Sequence, residues 1–283
     1  MPSTRPSECL AGDDALARGA WAEAREAFEE ALGVREFPEA LEGLGNAAWW
    51  LDLADLVFNS REHAYRLYLS RGDRADAARV AVWLAWDYWA FRGESAVANG
   101  WLQRARRLLD GQPPCPERAW MEVREGSLCL LEEGDPVRAL ALATEGIRIA
   151  QEAGNIDLEM LGRAVQGLAL VASGAVSEGM RNLDEVNTAV IAGELTDRVT
   201  IGLCGCLRSG PRLPPRRAMV RETQRVLRQM RIAALVRRLP HAICVDLPVA
   251  RNMARGRAGI VCGEDGTGGE PTRDDGRCAR AAG

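Results

Sequence analysis

The amino-acid sequence predicts an all-α fold over residues 1–203, a solenoid of antiparallel helix pairs. Three observations predict it. Turn-forming residues recur at a fixed period: Gly19, Asp52, Gly93, Gly134 and Gly174 stand 33, 41, 41 and 40 residues apart. A period of roughly 30–45 residues is that of stacked supersecondary units. The same side-chain pattern follows each turn, with small or apolar residues 5, 9 and 12 positions on. No stretch shows the alternation of a half-buried strand.

The pattern after each turn defines the second helix of a pair. Gly19 is followed by Ala24, Phe28 and Ala31; Gly93 by Ala98, Leu102 and Ala105. Gly134 is followed by Ala139, Ala143 and Gly146; Gly174 by Gly179, Leu183 and Val186. Steps of four and three keep these side chains on one helix face. Small residues allow close approach of the first helix, and the larger one fills the groove between them. After Asp52, Val57 and Ala64 fit, but Arg61 stands where an apolar residue is expected. The turn glycines end the first helices, where a left-handed backbone is cheap. Glu94, Asp135 and Glu178 follow their turns and suit the positive N-terminal ends of the second helices. Helices are therefore expected at 9–18, 21–33, 38–51, 53–71, 74–91, 94–109, 117–133, 135–152, 156–173 and 176–192. The prolines of Gly111–Pro116 mark a turn.

Several of these residues carry a resemblance. Ala15–Leu32, ALARGAWAEAREAFEEAL, resembles a tetratricopeptide repeat in its Gly, aromatic, Ala, Phe and Ala positions. Pro38–Asp55 (PEALEGLGNAAWWLDLAD), Arg61–Asp73 (REHAYRLYLSRGD), Ala78–Ala105 (ARVAVWLAWDYWAFRGESAVANGWLQRA) and Ala192–Ile201 (AGELTDRVTI) resemble the repeat region of actinobacterial LuxR-type transcriptional regulators. The resemblance covers about 190 residues. It implies a tetratricopeptide-like scaffold that senses a partner or effector and controls a C-terminal helix-turn-helix. No segment resembles that domain's recognition helix.

Residues 204–283 differ in character. The first 200 residues carry 20 Arg against 33 acidic residues, and the rest carry 16 Arg against 7. All 36 basic residues are arginine, as a GC-rich gene would encode. Every Trp, Phe and Tyr precedes residue 121, whereas five of the eight Cys follow residue 200. The repeat period stops near Cys204. A change of reading frame accounts for this. Read one nucleotide later, Met219-Val220 and Met253-Ala254 must each yield a Trp codon whatever synonymous codons are used. Codons the code allows then turn Cys206–Leu227 into ACDRVRDYLRAAQWCEKLKGFC and Val249–Arg257 into WRGTWQEAE, the latter similar to Arg18–Ala24. The expectation is an Arg-rich, largely disordered tail of out-of-frame sequence.

Catalytic and metal chemistry find no constellation. His63 lies on a helix among Arg61, Glu62 and Arg66 and reads as solvated; the other histidine is His241. No phosphate loop, HExxH or Ser-His-Asp order is present. Glu29/Glu30 and Glu132/Glu133 read as exposed ion-pair residues. Cys204-Gly205-Cys206 has a one-residue spacer, and Cys9, Cys115, Cys129, Cys244, Cys262 and Cys278 are unpaired in spacing. The sequence thus points to no enzyme, no cofactor and no metal. Its longest apolar run is too short for a membrane span, and Met1–Gly12 is polar, so a cytoplasmic location is expected.

The first helices of such pairs line a concave face suited to peptides or small effectors. Candidates there are Trp49, Trp83, Trp86, Asp87, Trp89 and Arg124. Trp83, Trp86 and Trp89 step by three and share one side, which reads as inter-repeat core more than binding surface. Asp87 is expected to be exposed, because burying an unpaired charge is costly, and Arg124 to sit on a solvated face. The functional expectation is a protein-interaction and regulatory scaffold with a protein, peptide or small-effector partner. Nucleic-acid binding by this chain is not expected, since the repeats are acidic. The alternatives are a complete small DNA-binding regulator using the basic helix 216–238, or a non-functional pseudogene product. A repeat array cut near residue 200 is also expected to expose Val186, Val190, Ile191 and Ile201 and to self-associate.

Overall fold

A computed structural model describes residues 7–197, 200, 201, 203, 204 and 225. The tail, with His241, Cys206, Cys244, Cys262, Cys278 and the expected basic helix 216–238, lies outside the described residues apart from Arg225. Among the described residues the secondary structure is helical throughout. After a short 3-10 turn at Ser7–Cys9 come α1 (Leu10–Arg18), α2 (Trp21–Val34), α3 (Pro38–Leu51), α4 (Ala54–Arg71) and α5 (Arg74–Arg92). They are followed by α6 (Ser95–Leu109), α7 (Pro116–Leu128), α8 (Pro136–Glu152), α9 (Ile156–Ala172) and α10 (Val176–Ala192). The last turn of α7 widens to a π turn over Cys129–Glu133.

Consecutive helices pack antiparallel, and the pairs stack into an α-solenoid. First helices also pack on first helices, α5 on α7 and α7 on α9. The stack therefore closes toward its first-helix layer. All five expected turn residues adopt the left-handed conformation, at φ 70, 68, 66, 65 and 94 for Gly19, Asp52, Gly93, Gly134 and Gly174. Asp52 is the residue other than glycine to do so among the described residues, a conformation Asp tolerates better than most. Asp135 caps α8 by accepting from the backbone N–H groups of Val137 and Arg138. Asn155 caps α9 by accepting from Leu158.

The residues at 5, 9 and 12 after each turn are all buried, Arg61 included. Their small size sets the helix spacing. A Cβ on Gly167 would lie 2.9 Å from the carbonyl oxygen of Gly179, and one on Gly179 would come closer still to that of Gly167. The α9 and α10 backbones touch there with no side chain between them. Two apolar clusters run along the stack, one around Phe28 and Phe37 and a longer one from Leu41 to Cys204. The stacked Trp21 and Trp50 rings, 4.7 Å apart, bridge the α2 and α3 ends.

The expected exposure at the end of the array is corrected. Val186, Val190 and Ile201 are buried, and Ile191 is half-buried. The segment after α10 folds back onto α9. Asp157 accepts from the backbone N–H groups of Thr196 and Asp197 and from the Thr196 hydroxyl. Asp197 in turn accepts from Thr200 N–H at 2.7 Å. Leu195, Ile201 and Leu203 are buried with it. Among the described residues no helix is long and apolar enough to cross a membrane.

The Gly179 contact yields a test. Gly179→Ala gains helix propensity worth about 1 kcal/mol, but overpacking against backbone costs about 1–3 kcal/mol. Urea unfolding should show a net loss of stability; a gain would mean that α10 can move away from α9 freely.

Candidate ligand groove

The face made by the first helices is acidic and laced with arginine. Glu39 and Glu42 of α3 are buried. The Glu42 carboxylate accepts two bonds from Arg79 of α5, at 2.8 and 2.7 Å, and one from the Tyr68 hydroxyl. Burial and the adjacent Glu42 charge push the Tyr68 hydroxyl well above the usual phenol range. Arg79 also meets Asp76 at 2.6 Å and Glu117 of α7 at 3.7 Å. On α7, Glu125 receives Arg106 and Arg138. Burial raises the Glu122 carboxyl, and Arg106 and Arg118 oppose that rise. These pairs are partly or wholly removed from solvent, so they fix helix register more firmly than exposed pairs would.

Beneath this face lies a buried charge cluster. Arg61 of α4 donates to Asp87 of α5 at 2.5 Å and to Asn46 of α3 at 2.9 Å. Its guanidinium carbon sits 4.5 Å from the Trp83 ring centroid. Arg124 of α7 is packed among indoles, at 3.8 Å from Trp86, 4.6 Å from Trp120 and 5.6 Å from Trp83. Arg61, Asp87 and Arg124 are 1%, 0% and 2% exposed. The expectations of an exposed Asp87 and a solvated Arg124 are thus corrected. Arg61 removes the reason for exposing Asp87, because it supplies the countercharge from the position where the repeat pattern calls for an apolar residue. Indole faces take the place of water around Arg124. Burial raises the Asp87 carboxyl against the pull of Arg61 and Arg124, and it pushes the Arg124 guanidinium down to about 9. The cluster carries two cations and one anion. The Arg124 Nε and Nη2, the Arg61 Nε, the Asp87 Oδ1 and the Trp86 and Trp120 Nε1 atoms are buried without hydrogen-bond partners.

Beside the cluster, a cavity of about 370 Å³ opens between α5, α7 and the start of α9. Trp83, Trp120, Pro116 and Leu158 form its apolar wall. Arg79, Glu117, Asn155, Asp157, Thr196, Asp197 and Thr200 form its polar part. Of the six candidate residues, Trp83 lines this cavity. Trp86, Asp87 and Arg124 lie in the core behind it. Trp49 is half-buried, edge-on to Trp50 and Phe91. Trp89 is buried and donates to Glu132 at 2.5 Å beside a smaller cavity of about 150 Å³ near α6. The tryptophans at 83, 86 and 89 therefore diverge: one reaches the cavity, one the charge cluster and one the α6 side. Sequence reasoning missed Trp120, Asn155 and Asp157. Trp120 had a legible signal, being the one Trp on the next first helix.

His63 is half-buried with Nε2 3.4 Å from Glu36. Glu29, Glu30, Glu132 and Glu133 are exposed. Among the described residues no three His, Cys, Asp or Glu side chains gather as a metal cluster. Comparison with family models, curated proteins and solved structures finds no match to this chain.

The cluster and the thiols give two tests. Asp87→Asn leaves two buried cations without a counterion and should cost about 3–5 kcal/mol in urea unfolding. Arg124→Met removes the surplus cation and should cost much less; equal losses would place Arg124 and Asp87 in one indispensable pair. Burial pushes the Cys129 thiol up to about 12, so little thiolate forms at pH 8. Cys129 should stay unmodified by a disulfide reagent until urea is added; rapid modification of the native chain would contradict its burial.

Proposed function

We propose that residues 1–203 form the sensor region of a LuxR-type transcriptional regulator. They are a tetratricopeptide-like interaction scaffold that binds a protein or peptide partner, or a small effector, on the first-helix face. The observation that carries this reading is the groove itself: a cavity of about 370 Å³ walled by tryptophans and charged residues from three successive first helices. A site assembled from several repeats suits recognition, because ligand occupancy and the relative placing of those repeats are coupled. The reading assigns the scaffold no reaction, and its location is the cytoplasm. Its DNA-binding domain would be encoded beyond a change of frame near codon 204. Residues 204–283, with the basic segment 216–238, then carry no evolved function of their own.

Sequencing the gene through codons 195–290 and several hundred codons downstream tests this. The expected result is one frame running through RAAQW-like and WRGTW-like repeats to a helix-turn-helix. A confirmed frame with a stop after Gly283 would sink the reading and leave the basic segment as the DNA-binding candidate. Mobility-shift assays on the chain with and without residues 205–283 complete the comparison. Neither form should retard duplex DNA, whereas a shift lost on truncation would establish the DNA-binding alternative.

A further inference from the structure

We infer that the cavity between α5, α7 and α9 receives an organic cation, a substituted ammonium or guanidinium carried on an apolar stem. This deepens the sensor reading and rests on it. The lining supplies both things that such a ligand needs. Trp83 and Trp120, with Pro116 and Leu158, make an apolar wall, and indole is the aromatic side chain that attracts cations best. The polar part is acidic: among the described residues of the lining, Glu117, Asp157 and Asp197 stand against Arg79.

These carboxylates are not neutralised from within. Arg79 lies 2.7 Å from Glu42 and 2.6 Å from Asp76, and it reaches Glu117 at 3.7 Å. Asp157 accepts from the backbone N–H groups of Thr196 and Asp197 and from the Thr196 hydroxyl, which are uncharged donors. The Asp197 charge acts on Arg124 behind the wall and so takes up the surplus cation of the charge cluster. Glu117 and Asp157 also stand in the first turns of α7 and α9, where a helix N-terminus offsets about half a charge. A negative balance remains after all of these. Beside an apolar wall, with about 370 Å³ of space, that balance selects a cation bringing apolar surface of its own. A bare metal ion fits poorly, since among the described residues no three His, Cys, Asp or Glu side chains gather to hold one.

The test is a tryptophan-fluorescence titration of the full chain with phenethylamine, its uncharged analogue 2-phenylethanol and the anion phenylacetate. A tripeptide of glycine, arginine and glycine, blocked at both ends, is titrated beside them. Phenethylamine or the tripeptide should give a saturable change, and 2-phenylethanol and phenylacetate should bind at least tenfold more weakly. Tighter binding of phenethylamine assigns the cavity to a free amine; tighter binding of the tripeptide assigns it to a basic side chain of a partner. The double variant Glu117→Gln, Asp197→Asn keeps the shape of the lining, and Asn still caps a helix. It should weaken the preferred cation at least tenfold while melting cooperatively. Glu29→Gln with Glu30→Gln removes the same charge from an exposed face and should leave the affinity unchanged. Absence of a saturable response to both cations, equal or tighter binding of phenylacetate, unchanged affinity in the cavity variant, or an equal loss in the Glu29/Glu30 variant overturns the proposal. If the cavity variant fails to melt cooperatively, the ligand comparison on the unaltered chain decides alone. The titration reads this cavity only, so its failure sinks the cation site and leaves the scaffold reading to the sequencing result.

Discussion

Four of the helices meet at one ionic contact. Arg61 of α4 reaches Asp87 of α5 and Asn46 of α3, and its guanidinium lies on Trp83. Arg124 of α7 joins the same cluster through Trp86 and Trp120. In a stack held by apolar contacts alone, register rests on how well the facing side chains fit one another. A buried charge pair does not slide, since any displacement leaves both charges unpaired in a poor solvent. The middle of the solenoid is therefore in a defined register, and the cavity walls inherit it. Gly45 shows the same constraint from the other side: a Cβ there would lie 2.9 Å from the Arg61 side chain.

Much of the fold was legible in the sequence because period and turn chemistry agree. The expected helices match the observed ones to within a residue or two at most ends, and Asp52 adopts the backbone that its place in the period requires. What the period could not reveal was the meaning of its one departure. Arg61 breaks the apolar pattern, and Asp87 follows on the next first helix. Each charge looked unsuited to a core because each was weighed alone. Exposure was the right expectation for an isolated charge, but two charges on facing helices change the balance. Pairing between helices is a tertiary property, and no local pattern encodes it.

The candidate site was legible only in part for a related reason. Trp83 was identified and lines the cavity, whereas Trp86 and Trp89 share its spacing but not its destination. A step of three on a helix turns each successive residue by about 60°, enough to carry three tryptophans into three different environments. Asn155, Asp157 and Thr196 were invisible because they enter the groove as caps and turns. Their roles depend on where α9 begins and on how the chain returns to it after α10.

That return has a consequence for how the protein is made. Asp157 holds the backbone of Thr196 and Asp197, some 40 residues further along the chain. The carboxylate that receives the following segment thus belongs to the repeat before it, and it is in place only once α9 has formed. The first three helices share an apolar cluster around Phe28 and Phe37, so a first unit can assemble while the remainder is still on the ribosome. Later segments then find a finished surface waiting for them. The architecture favours growth in one direction, each completed pair acting as the template on which the newly synthesised one settles.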